Sequence, residues 1–181
     1  MFKKFTPKDV NGKTMVKSSV IRAIRTKLID SYPGIEPVLD EILPKKATLI
    51  LAKTKERISL YIVDGNVLFF QHFDEPLIPT LRVLHQYPGI LPKVQVDRGA
   101  IKFVLSGANI MCPGLTSPGA WLPEENIPAG KIVAVMAEGK EHSLAIGVTK
   151  MSTDDMKSLN KGIGVDLVIY LGDPLWRSSI D

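Results

Sequence analysis

Apolar residues recur at Val20, Ile21, Ile24 and Leu28, within about a third of a helical wheel, so the spacing predicts a helix over residues 17–31. Arg22 and Arg25 fall off that stripe and are expected in water or on a ligand. Tyr32-Pro33-Gly34 should stop the helix. A shorter helix over Glu36–Leu43 should turn Val38, Leu39 and Ile42 inward before Pro44 ends it. The period then changes: Thr48–Ala52, Arg57–Val63 and Val67–Phe73 are rich in β-branched and aromatic residues and predict strands. Asp64-Gly65-Asn66 between the last two is a hairpin turn signal. Helical spacing returns over Pro79–Tyr87 through Leu81, Leu84 and His85. Phe2, Phe5, Phe69 and Phe70 read as core aromatics, with an exposed adaptor surface as the alternative.

Tyr87-Pro88-Gly89-Ile90-Leu91-Pro92 reads as a short, stiff connector, and it divides the chain into domains 1–91 and 92–181. Beyond it the pattern predicts a strand at Val94–Val96, a short helix through Ile101–Leu105, and strands at Asn109–Cys112, Lys131–Ala137, Ser143–Lys150 and Asp166–Leu171. Ser152, with Asp155 three positions on, should start a helix between the last two. The expected class is therefore α+β: an N-terminal α+β domain with a small antiparallel sheet, then a compact β-barrel. No internal repeat is apparent.

Charge sharpens this picture. Residues 1–28 hold eight lysines and arginines against Asp9 alone, a net +7, whereas residues 92–181 hold nine basic and ten acidic groups, a net −1. A basic end of this kind suits a polyanionic partner; it equally suits a solvated lysine-rich face. With 45% hydrophobic and 23% charged residues the chain can bury a core. The single cysteine, Cys112, excludes an intramolecular disulfide and suits a reducing compartment. Met1-Phe2-Lys3-Lys4-Phe5 leads into polar sequence, so no signal peptide is expected, and Ile132–Ala137 is too short an apolar run to span a membrane.

Catalytic patterns are weak. Cys112 and His142 have no spacing that would orient a base on a nucleophile, and the pairs Glu124-Glu125 and Asp154-Asp155 read as a solvated loop and a helix start. His72, His85 and His142 are too scattered for a metal site, and no phosphate-loop, dinucleotide or zinc-protease motif occurs. No catalytic residue, metal or cofactor is expected.

The informative stretch is Asp97–Leu115. A short helix bearing Lys102 runs into Ser106-Gly107-Ala108, a bend of small side chains, and a strand follows that ends at Pro113-Gly114. Such a bend lets a nucleic-acid backbone approach, with amide N–H groups free to face phosphate. Tight packing would require the same small residues. The pattern Gly99-Ala100-Ile101-Lys102-Phe103-Val104-Leu105, Gly107-Ala108-Asn109-Ile110-Met111 and Pro113-Gly114 resembles the PUA domain, and the likeness runs over about residues 92–172. Lys131–Val135, Leu144–Val148, Met151-Ser152 and Lys161-Gly162 continue it. Met1–Phe5, Tyr32–Glu36, Pro44-Lys45-Lys46, Leu68–Phe70, Pro79–Arg82, Gly99–Pro118 and Gly172–Trp176 extend the resemblance almost end to end, to the malignant T-cell-amplified sequence family. Fungal members are called translation-machinery-associated proteins. Asp9–Met15, Ala47–Lys55 and Trp121–Ala129 are least like the family.

The resemblance implies a PUA-type β-barrel after a family-specific N-terminal domain, in a cytoplasmic, non-catalytic translation factor. It implies a heterodimer with density-regulated protein, an SUI-type factor, bound to small-subunit rRNA. That pair releases deacylated tRNA and supports ribosome recycling and reinitiation, with the PUA face on the tRNA acceptor end. Candidate RNA contacts are Lys102 as phosphate-facing cation, Gly107 as close-approach residue and Asn109 as hydrogen-bonder, with Gly114, Lys150 and Lys161 beside them. Lys3, Lys4, Arg22 and Arg25 are the candidates in the basic N-terminal region. An RNA-binding subunit of a tRNA- or rRNA-modification complex remains the alternative, as does a protein adaptor.

Overall fold

The computed structural model describes residues 1–178. The chain forms two units, Lys3–Ile90 with Arg177 and Ser178, and Leu91–Trp176 with Met1 and Phe2. The last three residues of the expected second domain, 179–181, lie outside the described residues.

In the first unit, helix α1 (Ser18–Ser31) buries Ile21, Ile24 and Leu28. Val20, expected on that face, is 47% exposed: it sits in the first turn, and the packed face begins one residue later. The helix expected over 36–43 forms only in part. A 3₁₀ segment runs over Pro33–Val38, and α2 is confined to Leu39–Ile42. Pro33 and Pro37 have no N–H to give an α-helical ladder, so the regular turn starts after them. Strands β1 (Val10–Met15), β2 (Ile50–Thr54), β3 (Ile58–Val63), β4 (Asn66–His72) and β5 (Ile78–Pro79) form an antiparallel sheet in that order. Ile58, Leu60 and Ile62 alternate inward along β3, as a strand with one buried face should. Asp64 (φ 50°) and Gly65 (φ 77°) both take the left-handed conformation of a type I′ turn, whose twist matches the strands it joins. β1 is invisible to hydrophobic patterning because Asn11–Thr14 are polar or glycine and exposed, and the apolar Met15 at its end is exposed as well. It is an edge strand held by its ladder to β2, Lys13 opposite Ala52 and Met15 opposite Ile50.

Helix α3 (Leu81–Gln86) brings out a four-residue repetition, where no internal repeat was expected. α1 and α3 both end in Tyr-Pro-Gly-Ile, residues 32–35 and 87–90, and the two capping tyrosines have nearly the same backbone angles, φ −134° and ψ 81° against φ −130° and ψ 71°. The two segments clasp. A Cβ on Gly34 would lie 2.7 Å from the carbonyl oxygen of Gly89, so only glycine admits this backbone contact. Ile35 and Ile90 are buried beside it.

In the second unit, β6 (Lys93–Val96) runs parallel to β8 (Ile132–Ala137), which is followed in the sheet by β9 (Ala145–Thr149), β10 (Ile163–Tyr170) and β7 (Ile110–Met111). The order β6-β8-β9-β10-β7 leaves β6 and β7 as edges. The expected barrel is thus a curled sheet, with no β6–β7 ladder among the described residues. Val94, Val96, Val133, Val135, Ala145 and Val165 supply the sheet side of the core. Val104 of α4 (Ile101–Val104), Leu115 of α5 (Pro113–Thr116) and Met156 of α6 (Thr153–Leu159) close over them. Ser152 caps α6 by accepting from the Asp155 N–H. Of the expected core aromatics, Phe2 of this unit and Phe69 and Phe70 of the first are each at most 2% exposed, whereas Phe5 is only half-buried.

Candidate nucleic-acid interface

Ile101 is half-buried and Val104 buried, so the outer side of α4 presents Lys102 and Phe103. The helix stops in a double hydrogen bond: the Gly107 N–H donates to Val104 O (2.9 Å) and the Ala108 N–H to Phe103 O (3.1 Å). This is a Schellman termination, with Gly107 in the left-handed position at φ 91°. The Ser106 N–H also donates to Phe103 O, at 3.2 Å. These three amides were expected to be free for phosphate; all of them serve the helix end instead. The bend itself is open to solvent, with Ser106 and Ala108 exposed and Gly107 half-buried. Any ligand there meets side chains before it meets amides.

Those side chains are apolar as well as basic. Phe103 is 58% exposed, Met111 49% and Leu105 40%, and the Lys102 Nζ lies 5.1 Å from the centroid of the Phe103 ring. Met111 stands opposite Ile163 across β7 and β10, and the Cys112 N–H donates to Gly162 O (2.9 Å), which brings Lys161 to the same edge. The Lys150 N–H donates to Gly164 O (2.8 Å); its ammonium, largely exposed, faces Asp166 at 3.7 Å. Lys161 therefore sits by the β7 edge of the sheet, which Met111 occupies, while Lys150 lies on the β9 side of β10. Sequence reasoning missed Phe103, Leu105 and Met111. The signal was available: the three-residue spacing of Ile101 and Val104 fixes the inward face and leaves Phe103 outside.

Two other candidates have structural work. β7 is only two residues long, and the Asn109 Oδ1 takes the N–H of Leu167 (2.9 Å), extending the pairing along β10 by one bond. Gly114 lies in α5, where its carbonyl accepts from the Asp97 N–H (3.2 Å) and a Cβ would meet Ala100 at 3.6 Å. Its setting is helix packing rather than the exposed edge.

In the N-terminal region Lys3, Lys4 and Arg22 are exposed, as are Lys8, Lys13, Lys17 and Lys27. Arg25 is not available in the same way. Its side chain is 11% exposed, pairs with Asp40 and donates to the carbonyl of Leu43 at the end of α2. The wheel placed it outside the apolar stripe; the fold brings α2 over it, and it becomes a tie between helices.

Cys112 is fully buried, its sulfur 3.8 Å from that of Met151, and burial pushes its thiol pKa up, away from the reactive thiolate. Among the described residues no group of three or more His, Cys, Asp or Glu is placed to hold a metal ion. No helix among them is long and apolar enough to cross a membrane.

Comparison with known proteins finds two domain families along the chain. Residues 4–88 match the pre-PUA-like domain and residues 92–171 the PUA domain. The chain is 56% identical over 182 residues to Translation machinery-associated protein 20 of Saccharomyces cerevisiae, spanning 100% of both chains. It is 52% identical over 178 residues to Malignant T-cell-amplified sequence 2 of Homo sapiens, covering 98% of this chain and 97% of that one. Among solved structures, a hypothetical protein of the hyperthermophilic archaeon Pyrococcus horikoshii aligns with a TM-score of 0.73 at 25% identity, over 91% of this chain and 98% of its own.

Proposed function

This chain belongs to the family of the translation machinery-associated and malignant T-cell-amplified sequence proteins, and from that premise we propose that it is a non-catalytic translation factor acting on the small ribosomal subunit. It works in the cytoplasm as a heterodimer with density-regulated protein, promotes release of deacylated tRNA after termination, and so supports subunit recycling and reinitiation. The observation that supports the RNA-binding part is the set of exposed side chains Lys102, Phe103 and Met111, with Lys161 by the β7 edge of a PUA domain and Lys150 on the β9 side of β10. Ammonium groups supply salt-dependent attraction to phosphate, and an exposed aromatic ring gives an unpaired base a surface to stack on. Single-stranded ends such as a tRNA acceptor terminus offer both. The exposed cations of α1 and the N-terminal segment add a second, sequence-independent contact to rRNA.

The test is release of fluorescent deacylated tRNA from post-termination small-subunit complexes, with the chain and density-regulated protein added together. Release should accelerate with both proteins and slow again with Phe103→Ala or Lys102→Glu. An equal rate with and without the pair would overturn the reading. Copurification of the tagged chain with an RNA-modification complex, and without small subunits, would do the same.

A further inference from the structure

Of the chain's five asparagines, Asn11 alone is followed by glycine; Asn66, Asn109, Asn126 and Asn160 precede Val67, Ile110, Ile127 and Lys161. That difference is chemical. The backbone nitrogen of the following residue can reach an asparagine's side-chain carbonyl and close a five-membered ring, and a Cβ on that residue crowds the attack. Three of the four other followers are β-branched, which narrows the approach further. The other asparagine side chains are also held. Asn66 Nδ2 donates to Asp64 O (3.4 Å), and the side-chain oxygens of Asn109, Asn126 and Asn160 accept from the Leu167 N–H, the Asp154 N–H and the Thr116 hydroxyl. The Asn11 side chain makes no hydrogen bond among the described residues.

The fold leaves this ring closure room. Val10 is opposite Thr54 while Gly12 is opposite Lys53, so Asn11 is the extra residue of a bulge in the edge strand β1, with no counterpart on β2. A regular ladder would pin its backbone extended; the bulge does not. Both Asn11 and Gly12 are exposed, and a Cβ built on Gly12 would meet nothing within 4 Å. The charge around the pair is positive. Lys53 stands opposite Gly12, the Lys55 N–H donates to Asp9 O (3.3 Å), and Lys8 and Lys13 lie to either side in the chain. Cations favour the negative charge that develops as the Gly12 amide gives up its proton.

We propose that Asn11-Gly12 is a deamidation site of the folded protein, converting in place to aspartate and isoaspartate. The Gly12 nitrogen loses its proton to solvent base and bonds to the Asn11 Cγ; the Cγ–Nδ2 bond breaks, and that nitrogen takes up a proton and leaves as ammonia. Water then opens the succinimide. Breaking the bond from the Gly12 nitrogen to Cγ leaves aspartate at position 11. Breaking its bond to the main-chain carbonyl carbon leaves isoaspartate, with the backbone routed through the former side chain. Nothing is oxidised or reduced. Either product puts a carboxylate into a segment whose net charge is +7 over residues 1–28. Isoaspartate also adds a carbon to the backbone of β1, where its register with β2 is already offset.

The test ages the full, folded chain in mildly alkaline buffer, beside the same chain in urea, and follows the tryptic peptide of residues 9–13 by mass. Asn11 should convert, losing ammonia and gaining water, while Asn66, Asn109, Asn126 and Asn160 stay intact. Its rate in the folded chain should lie within about tenfold of the rate in urea, because the bulge needs no unfolding to react. Isoaspartate is counted with a carboxyl methyltransferase, which moves a labelled methyl group from the sulfonium of S-adenosylmethionine to the new carboxylate. Asp64-Gly65 can close the same ring, but it releases water instead of ammonia, so the mass change assigns the site. Gly12→Ala, whose Cβ enters open space, should keep the melting temperature and slow conversion at least about tenfold. Asn11→Gln should abolish it, since a longer side chain closes a larger ring. A folded chain whose Asn11 converts no faster than the other four asparagines overturns the proposal. So does a Gly12→Ala chain that converts as fast as the original.

Discussion

Replacing Gly107 by alanine separates two roles that a small residue at an RNA-facing bend can have. The backbone there stands at φ 91°, and its N–H and that of Ala108 close the end of α4 on Val104 and Phe103. A Cβ in the left-handed region costs roughly 1–2 kcal/mol. For a chain of this length each kcal/mol moves the melting temperature by about 2–4 °C, so Gly107→Ala should melt roughly 2–8 °C lower. Gly107→Asn should recover part of the loss, because asparagine tolerates this conformation. The bend's amides are already engaged, so RNA affinity at 25 °C, where both variants remain folded, should stay within about twofold. Phe103→Ala should behave oppositely. Its side chain is mostly in solvent, so stability should change by no more than about 0.5 kcal/mol. Losing one stacked base costs about 1–3 kcal/mol, or roughly 5- to 150-fold in Kd. Thermal melts, paired with anisotropy titrations of a labelled single-stranded RNA ending in an unpaired base, measure both quantities. If Gly107→Ala binds RNA more weakly than Phe103→Ala does while melting at the original temperature, the assignment of recognition to side chains is wrong.

Gly34→Ala forces its new methyl against the Gly89 carbonyl and should cost about 1–3 kcal/mol in urea denaturation, as overpacking does; an unchanged midpoint would show that the clasp yields. Glutamate at Lys3, Lys4 and Arg22 should leave the melting temperature nearly unchanged and flatten the salt dependence of small-subunit RNA binding, by about one unit of slope for each phosphate no longer neutralised. Arg25→Glu, which strips the buried Leu43 carbonyl of its donor and opposes Asp40, should instead destabilise by about 1–3 kcal/mol; equal behaviour of Arg22 and Arg25 variants would contradict the difference in their surroundings. The native Cys112 thiol should resist a thiol-reactive dye at pH 8 until denaturant is added, and Cys112→Ser should retain RNA binding.

Much of the fold could be read from periodicity, because periodicity records burial. The inward stripe of α1, the alternation along β3 and the Asp64-Gly65 turn are all statements about which side chains leave water. β1 was hidden for the converse reason: an edge strand that buries almost nothing is specified by its neighbour's backbone. The site was legible in place but not in mechanism. The bend after α4 is open and has lysines near it, yet whether its amides are free depends on the hydrogen bonds that end the helix, which residue types do not fix. Asn109 and Arg25 show the same limit. Asn109 stays exposed but its Oδ1 is taken by the Leu167 N–H, and Arg25 is covered where it meets Asp40 and the Leu43 carbonyl; both partners are distant in sequence.

The meeting of Gly34 with Gly89 means that the chain between them departs from and returns to a single point. Closure of such a loop depends only weakly on its length, about 0.6 kcal/mol for each doubling. Extra residues spliced in at Asp64-Gly65, far from the knot, should therefore be borne more easily than one carbon atom added at the knot itself. For anyone grafting a tag or a sensor into this domain, the generous position is the hairpin tip, and the unforgiving one is a residue that has no side chain at all.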